Sequence, residues 1–483
     1  MSEHQQLDRR QFLGASLAGG IAAVGGLGPL GRALGSTQPA TANAALQGRP
    51  NVLFLIVDDL NSWVGAFGGH PNARTPHIDR LCARGVTFEQ AFAPAPLCNP
   101  CRAAVMSGLL PARTGVYNNS QPMRLSPVTA DCVTLTQHFM KHGYVSLGAG
   151  KIHHSSFPDP ASFDDWDPCK DGAKADRTKG YHAPKVSVWA PIAANEDQAA
   201  DHKIADYGVA QLQRRHDRPF FLSLGFRKPH LPWIAPQRFF DLYPPDQITL
   251  PTINEHDLDD MPPIARSFAR RQSEFEAIRQ AGKWPEAVGA YLACVSFVDE
   301  QIGRVLDALD ASPYARNTMI VFWGDHGWHL GQKLTWRKLT LWEEACRAPL
   351  AFAVPGLTPP GGRCPRPAGF IDLYPTLSDL CGLPVPGGLD GVSLRPLLQR
   401  PNGPWDRPAL TDCLMGNRSV RSRRWRYTRY SDGSEELYDH DADPLEWRNL
   451  AGESIFADVR AELARYIPAT FIPNAPAQED SDE

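Results

Sequence analysis

The run Asn51-Val52-Leu53-Phe54-Leu55-Ile56-Val57 is apolar after its first residue and stops at Asp58-Asp59. An unbroken apolar strand has no polar face to give to water, so it belongs inside a sheet covered on both sides, the setting of parallel strands under helices. Two adjacent carboxylates at the end of such a strand are costly to bury without compensating positive charge. A helix cap would account for one aspartate but not for both. The pair therefore points to a cation site.

The pattern recurs three times. Tyr144-Val145-Ser146-Leu147-Gly148-Ala149-Gly150 leads into Lys151, with His153 and His154 just beyond. Residues 219–226 lead into Lys228-Pro229-His230, and Thr318-Met319-Ile320-Val321-Phe322-Trp323 leads into Asp325-His326-Gly327. In open α/β sheets ligands bind beyond the carboxyl ends of the strands, so four strands ending in ionisable residues predict one shared site.

Helices fall between these strands. In residues 286–310, Val288, Leu292, Val295, Ile302 and Leu306 recur at helical spacing, with Glu300 and Arg304 expected to pair on the polar side. Strand and helix alternation predicts an α/β sandwich around a central, largely parallel sheet. Residues 155–200 and 241–285 read as insertions without assigned chemistry, the latter with a helix over 264–280. From about Pro404 the composition changes. Alternating strands, a turn at Ser431-Asp432-Gly433-Ser434 and a helix over about 453–466 predict a small antiparallel sheet packed on a helix. Its basic run, Arg421, Arg423, Arg424, Arg426 and Arg429, reads either as a polyanion site or as a solvated face.

One further stretch carries chemistry: Leu97-Cys98-Asn99-Pro100-Cys101-Arg102, followed by small residues. Pro100 suits the first turn of a helix, which places Cys98 at its N-terminus. There backbone N–H groups favour an anion and lower a thiol's pKa, and Arg102 offers a forked donor for a tetrahedral oxyanion. A CxxC redox pair or half a zinc site would need partner motifs that the chain lacks. A Cys98 to Cys101 disulfide is the expected hazard if both thiols meet an oxidising compartment.

The chain's 483 residues carry a formal net charge of −4, which argues against a nucleic-acid footprint. Its ten cysteines have no framework spacing. Near the start, Asp8-Arg9-Arg10-Gln11-Phe12-Leu13 precedes a Gly/Ala-rich apolar run and an Ala42-Asn43-Ala44 motif. This resembles a twin-arginine export signal cut after Ala44. The expected layout is a signal over 1–44, a catalytic domain over 45–402 and a C-terminal subdomain over 403–483. The expected mature form lies in the periplasm or outside the cell and does not span a membrane.

The Cys-x-Pro-x-Arg pattern resembles the signature of the type I sulfatases. The resemblance extends through Asp58-Asp59, Gly150-Lys151, Lys228-Pro229-His230, Asp325-His326-Gly327 and Glu436-Leu437-Tyr438-Asp439. The run Asp325-His326-Gly327-Trp328-x-Leu330-Gly331, together with Ser296-Phe297-Val298-Asp299, is similar to the iduronate-2-sulfatase type and its bacterial relatives.

The resemblance implies an alkaline-phosphatase-like α/β/α sandwich with a large mixed, mainly parallel sheet and a small C-terminal antiparallel sheet with a helix. It also implies hydrolysis of sulfate esters by formylglycine made from Cys98. Asp58, Asp59, residue 98 and Asp325, with His326, would hold Ca²⁺ or Mg²⁺. Arg102 and Lys151 would stabilise formylglycine and sulfate, and His230 or Lys338 would protonate the leaving group. His154 would be the base, with His153 as the alternative, and Trp328, His230 and Lys338 would bind substrate. The implied partners are a sulfated carbohydrate or an aryl sulfate, a formylglycine-generating enzyme and the twin-arginine translocase. Alternatives are a phosphonate monoester or phosphodiester hydrolase of the same superfold and a non-catalytic binder of sulfated glycans. Aligned with the iduronate enzyme, Cys413 takes the place of a substrate-contacting lysine, which argues against strict selection of sulfated iduronate.

Overall fold

The computed structural model describes residues 48–183, 186–269 and 272–480. The export signal expected over residues 1–44 lies outside them. The four apolar runs form four adjacent parallel strands, in the order Thr318–Gly324, Asn51–Val57, Phe220–Phe226 and Val145–Gly150. Asp165–Asp167 adds a parallel strand at one edge, and Leu350–Ala353, Val86–Phe92 and Gly362–Gly369 complete the other side of the eight-stranded sheet. Within it only Leu350–Ala353 runs antiparallel to its neighbours.

Register places the chemistry on one edge of the sheet. Val57 pairs with both Phe226 and Gly324, and Gly150 pairs with Gly225, so the next residues, Asp58, Asp325 and Lys151, leave the sheet side by side. The side chains of the first strand alternate between two cores. Leu53, Leu55 and Val57 face one, while Val52, Phe54 and Ile56 face the other. The first core packs under the helices Pro76–Ala83, Ala200–Gln213 and Trp284–Ala311. The second lies under Cys98–Ser107, Leu135–Lys141 and Leu373–Leu380. This is the expected α/β/α sandwich.

The strands Ala409–Asp412, Arg418–Arg421, Trp425–Arg429 and Glu435–Asp439 form an antiparallel sheet. Its Val420, Tyr427 and Leu437 bury against Leu463 of the helix Ala457–Ala464. Among the described residues no helix is long and apolar enough to cross a membrane.

Three local expectations are corrected. Glu300 and Arg304 do not pair; Glu300 takes Arg238 and Arg304 takes Asp206, because partners on neighbouring elements are within reach. Residues 264–280 do not form one helix but two, Pro263–Phe268 and Gln272–Gln280. The basic run divides: Arg423 and Arg424 lie on a solvated face, whereas Arg421 and Arg426 do not. Arg421 and Arg426 are buried and held by Glu343, with Glu446 also on Arg426, while Arg424 is held by Asp439.

Candidate active site

Cys98 opens the helix Cys98–Ser107 and is fully buried beneath the strand ends. Its sulfur lies 2.9 Å from Lys338 Nζ and 3.4 Å from His326 Nε2. Lys338 Nζ also lies 2.7 Å from Asp59 Oδ1. Asp59 turns at φ 58°, a conformation that few side chains adopt, and its backbone N–H donates to Asp325 Oδ1 at 3.0 Å. Lys151 Nζ lies 2.8 Å from Asp58 Oδ2. The three carboxylates of Asp58, Asp59 and Asp325 thus converge close enough for a shared ion.

Arg102 departs from its expected role. Its guanidinium donates from Nη2 to Asp58 at 3.1 Å, from Nε to Asp325 at 2.9 Å, and from Nη1 to the carbonyls of Lys151 and Ile152. With its fork so occupied and its side chain 1% exposed, it braces the carboxylates and is not presented to an oxyanion.

The thiol departs as well. Burial, then the Asp58 carboxylate, push Cys98 well above its ordinary pKa, against Lys151 and Lys338, so the helix terminus does not yield a thiolate. Burial opposes ionisation of Asp58 too, but Lys151 and Arg102 hold it well below the ordinary carboxylate range. For Lys338 burial acts to remove the proton; the Asp59 carboxylate, with Asp58 behind it, overcomes that and raises its pKa well above the usual lysine value. Burial lowers His230 to about 4, although 23% of its side chain remains exposed.

Do these groups suit a metal ion? His326 Nδ1 donates to the Gly327 carbonyl at 3.0 Å and His230 Nδ1 to the Leu231 carbonyl at 2.7 Å. His230, its pKa lowered by burial, then keeps a lone pair on Nε2 at 3.9 Å from the Asp59 carboxylate, and His326 Nε2 lies 3.4 Å from the same carboxylate. At His230 an acceptor therefore faces an acceptor. The buried Asp59 Oδ2 has no hydrogen-bond donor among the described residues. Arg102, Lys151 and Lys338 balance the three aspartates in formal charge, so charge alone does not demand an ion. The lone pairs aimed at one another do fit one.

Above this cluster opens a cavity of about 730 Å³, lined by His154, His230, Trp328 and Lys338 among others. His154 lines it and His153 does not, which separates the two candidate bases by position. Trp328 is 1% exposed, and its indole N–H has no acceptor among the described residues.

The comparisons with known proteins decide the family. The sulfatase family profile matches residues 50–383, and the profile described as N-sulphoglucosamine sulphohydrolase, C-terminal, matches residues 324–470. The chain belongs to the sulfatase family. This sulfatase is 39% identical over 445 residues to a sulfatase of Formosa agariphila, covering 87% of each chain. It is 29% identical to the iduronate 2-sulfatase of Homo sapiens, covering 88% of this chain and 95% of that one. In fold it is similar to the phosphonate monoester hydrolase of Silicibacter pomeroyi, with a TM-score of 0.73 at 23% identity, over 86% of this chain and 94% of that one.

Several residues of the sulfatase site had no sequence signal. Val186, Ser187 and Val188, from a stretch read as an insertion, line the cavity, as do Asn118, Arg337 and Leu414. Arg337 is ion-paired with Glu274 of the other insertion. Cys413 is buried and outside the cavity lining, where its neighbour Leu414 stands.

Proposed function

We propose that this sulfatase hydrolyses the sulfate ester of a sulfated sugar, with residue 98 converted to formylglycine and Ca²⁺ or Mg²⁺ held by Asp58, Asp59, Asp325 and residue 98, flanked by His326. One observation carries the reading: residue 98 sits at a helix N-terminus beside the Asp58, Asp59 and Asp325 carboxylates and Lys338, beneath a cavity sized for a small saccharide that its neighbours Leu97 and Lys338 line. When present, hydrated formylglycine supplies an oxygen nucleophile and the cation polarises the sulfate.

The chain's own residues supply the rest. Lys338 keeps its charge at 2.9 Å from the Cys98 sulfur, so it attracts the anionic ester and donates a hydrogen bond toward the departing oxygen. His230, low in pKa and lone-paired at Nε2, orients substrate without adding charge. Trp328 contributes to the cavity wall on the substrate side and carries the Lys338 ammonium over its ring, 5.4 Å from the centroid. His154, on the cavity wall, acts as the base that resets the site. Arg102 keeps Asp58 and Asp325 aimed. At the outer wall, Arg337 is neutralised by Glu274, which supports a sugar without a second acidic group. A formylglycine-generating enzyme acts on residue 98 before the twin-arginine translocase exports the folded protein to the periplasm.

The test compares sulfate and phosphonate esters of one alcohol, including a sulfated monosaccharide, in protein coexpressed with a formylglycine-generating enzyme. Faster sulfate release is expected. Faster phosphonate cleavage would place the chain with the phosphonate hydrolases, and no turnover of either would favour a binding role.

A further inference from the structure

The segment 472–480 runs alongside residues 112–120. Ile472 N–H donates to the Ala112 carbonyl at 2.9 Å, Ala475 N–H to that of Gly115 at 2.8 Å, and Gln478 N–H to that of Ser120 at 2.7 Å. Tyr117 OH donates to the Ile472 carbonyl at 2.8 Å, and Gln121 Nε2 donates to Asn474 Oδ1 and to the Ala475 carbonyl at 3.0 and 3.1 Å. Gly115 permits the approach, since a Cβ there would lie 2.4 Å from the Pro473 carbonyl oxygen. The strap is thus fixed along its length.

Its far end delivers Asp480 to His154. Asp480 Oδ1 accepts from Ser156 Oγ at 2.5 Å and lies 3.0 Å from His154 Nε2. An ionised carboxylate can only accept, so His154 carries its proton on Nε2 and Nδ1 is its basic nitrogen. The His154 side chain is 1% exposed and that of Asp480 9%. His154 lines the substrate cavity and Asp480 does not, so the carboxylate reaches the ring from outside the cavity. It leaves room for substrate and does not plug the site.

We infer that Asp480 is a positioning residue: it sets the tautomer and ring orientation of His154, and the 472–480 strap exists in part to bring it there. This rests on the reading of His154 as the base. A carboxylate behind an imidazole fixes which nitrogen is basic and stabilises the ring once it has taken a proton.

The experiment uses full-length protein with Asp480→Asn, Asp480→Glu and His154→Ala. Long-range nitrogen–proton NMR of ¹⁵N-histidine-labelled protein, which needs neither formylglycine nor metal, should show His154 as the Nε2–H tautomer in the wild type and as a mixture in Asp480→Asn. With 4-nitrophenyl sulfate and converted protein, Asp480→Asn should lower kcat about 10- to 100-fold with little change in KM, and Asp480→Glu should recover much of it, at an unchanged thermal midpoint. If His154→Ala loses turnover while Asp480→Asn keeps both the wild-type tautomer and kcat, the positioning role is overturned alone. If His154→Ala keeps wild-type turnover, the base assignment falls and the positioning role falls with it.

Discussion

Replacing Arg102 with methionine removes a side chain that touches both Asp58 and Asp325 and the carbonyls of Lys151 and Ile152. All three charged groups are at most 1% exposed, so water cannot take over the lost contacts. Breaking a buried ion pair by deleting one partner costs about 3–5 kcal/mol. The two pairs share a single guanidinium, and Lys151 remains on Asp58, so that figure is not doubled. Against a typical folding stability of about 5–15 kcal/mol, Arg102→Met should move the urea midpoint down by roughly a third. The assay is urea unfolding followed by tryptophan fluorescence in EDTA. A loss below about 1 kcal/mol would refute the bracing role and return Arg102 to the direct oxyanion contact expected from its position in the helix.

Further outcomes follow from the same geometry. His329 is fully buried against Thr340, and burial holds its pKa down to about 3. Because the unfolded histidine titrates near about 6.5, the unfolded state binds the extra proton between these values and stability falls as pH falls through that window, by at most about 1.4 kcal/mol per pH unit. His329→Gln should remove that portion of the slope in urea unfolding measured from pH 6.5 downward, and an unchanged slope would contradict the assignment. Asp325→Ala should lose both bound Ca²⁺ or Mg²⁺ and turnover, whereas stoichiometric zinc in active wild type by elemental analysis would overturn the metal proposal. Arg9→Lys with Arg10→Lys should leave precursor in the cytoplasm, and undiminished periplasmic activity would count against the signal.

The strand ends were readable because each apolar run is continuous and stops at a charge, a pattern set by burial on both faces and independent of distant neighbours. Alternation along Val52 to Val57 then separates the two cores. What depends on long-range contact was not readable. The antiparallel strand Leu350–Ala353 is four residues long and carries no direction in its composition. Arg102 looked like an anion donor because its helix position is visible in the chain, while its partners Asp58 and Asp325 arrive from two separate strands. The thiol's raised pKa has the same origin: proximity to a helix terminus is local, but burial beside carboxylates is not. Asp480 lies 326 positions from His154, and its polar surroundings in the sequence resemble any solvated tail.

The most direct test of the account is peptide mass spectrometry of residue 98 in protein coexpressed with a formylglycine-generating enzyme, paired with sulfate release from the same preparation. Formylglycine at position 98, with activity proportional to its occupancy and absent in Cys98→Ala, is the predicted result. Full sulfate release from protein whose Cys98 remains an unmodified thiol would contradict it.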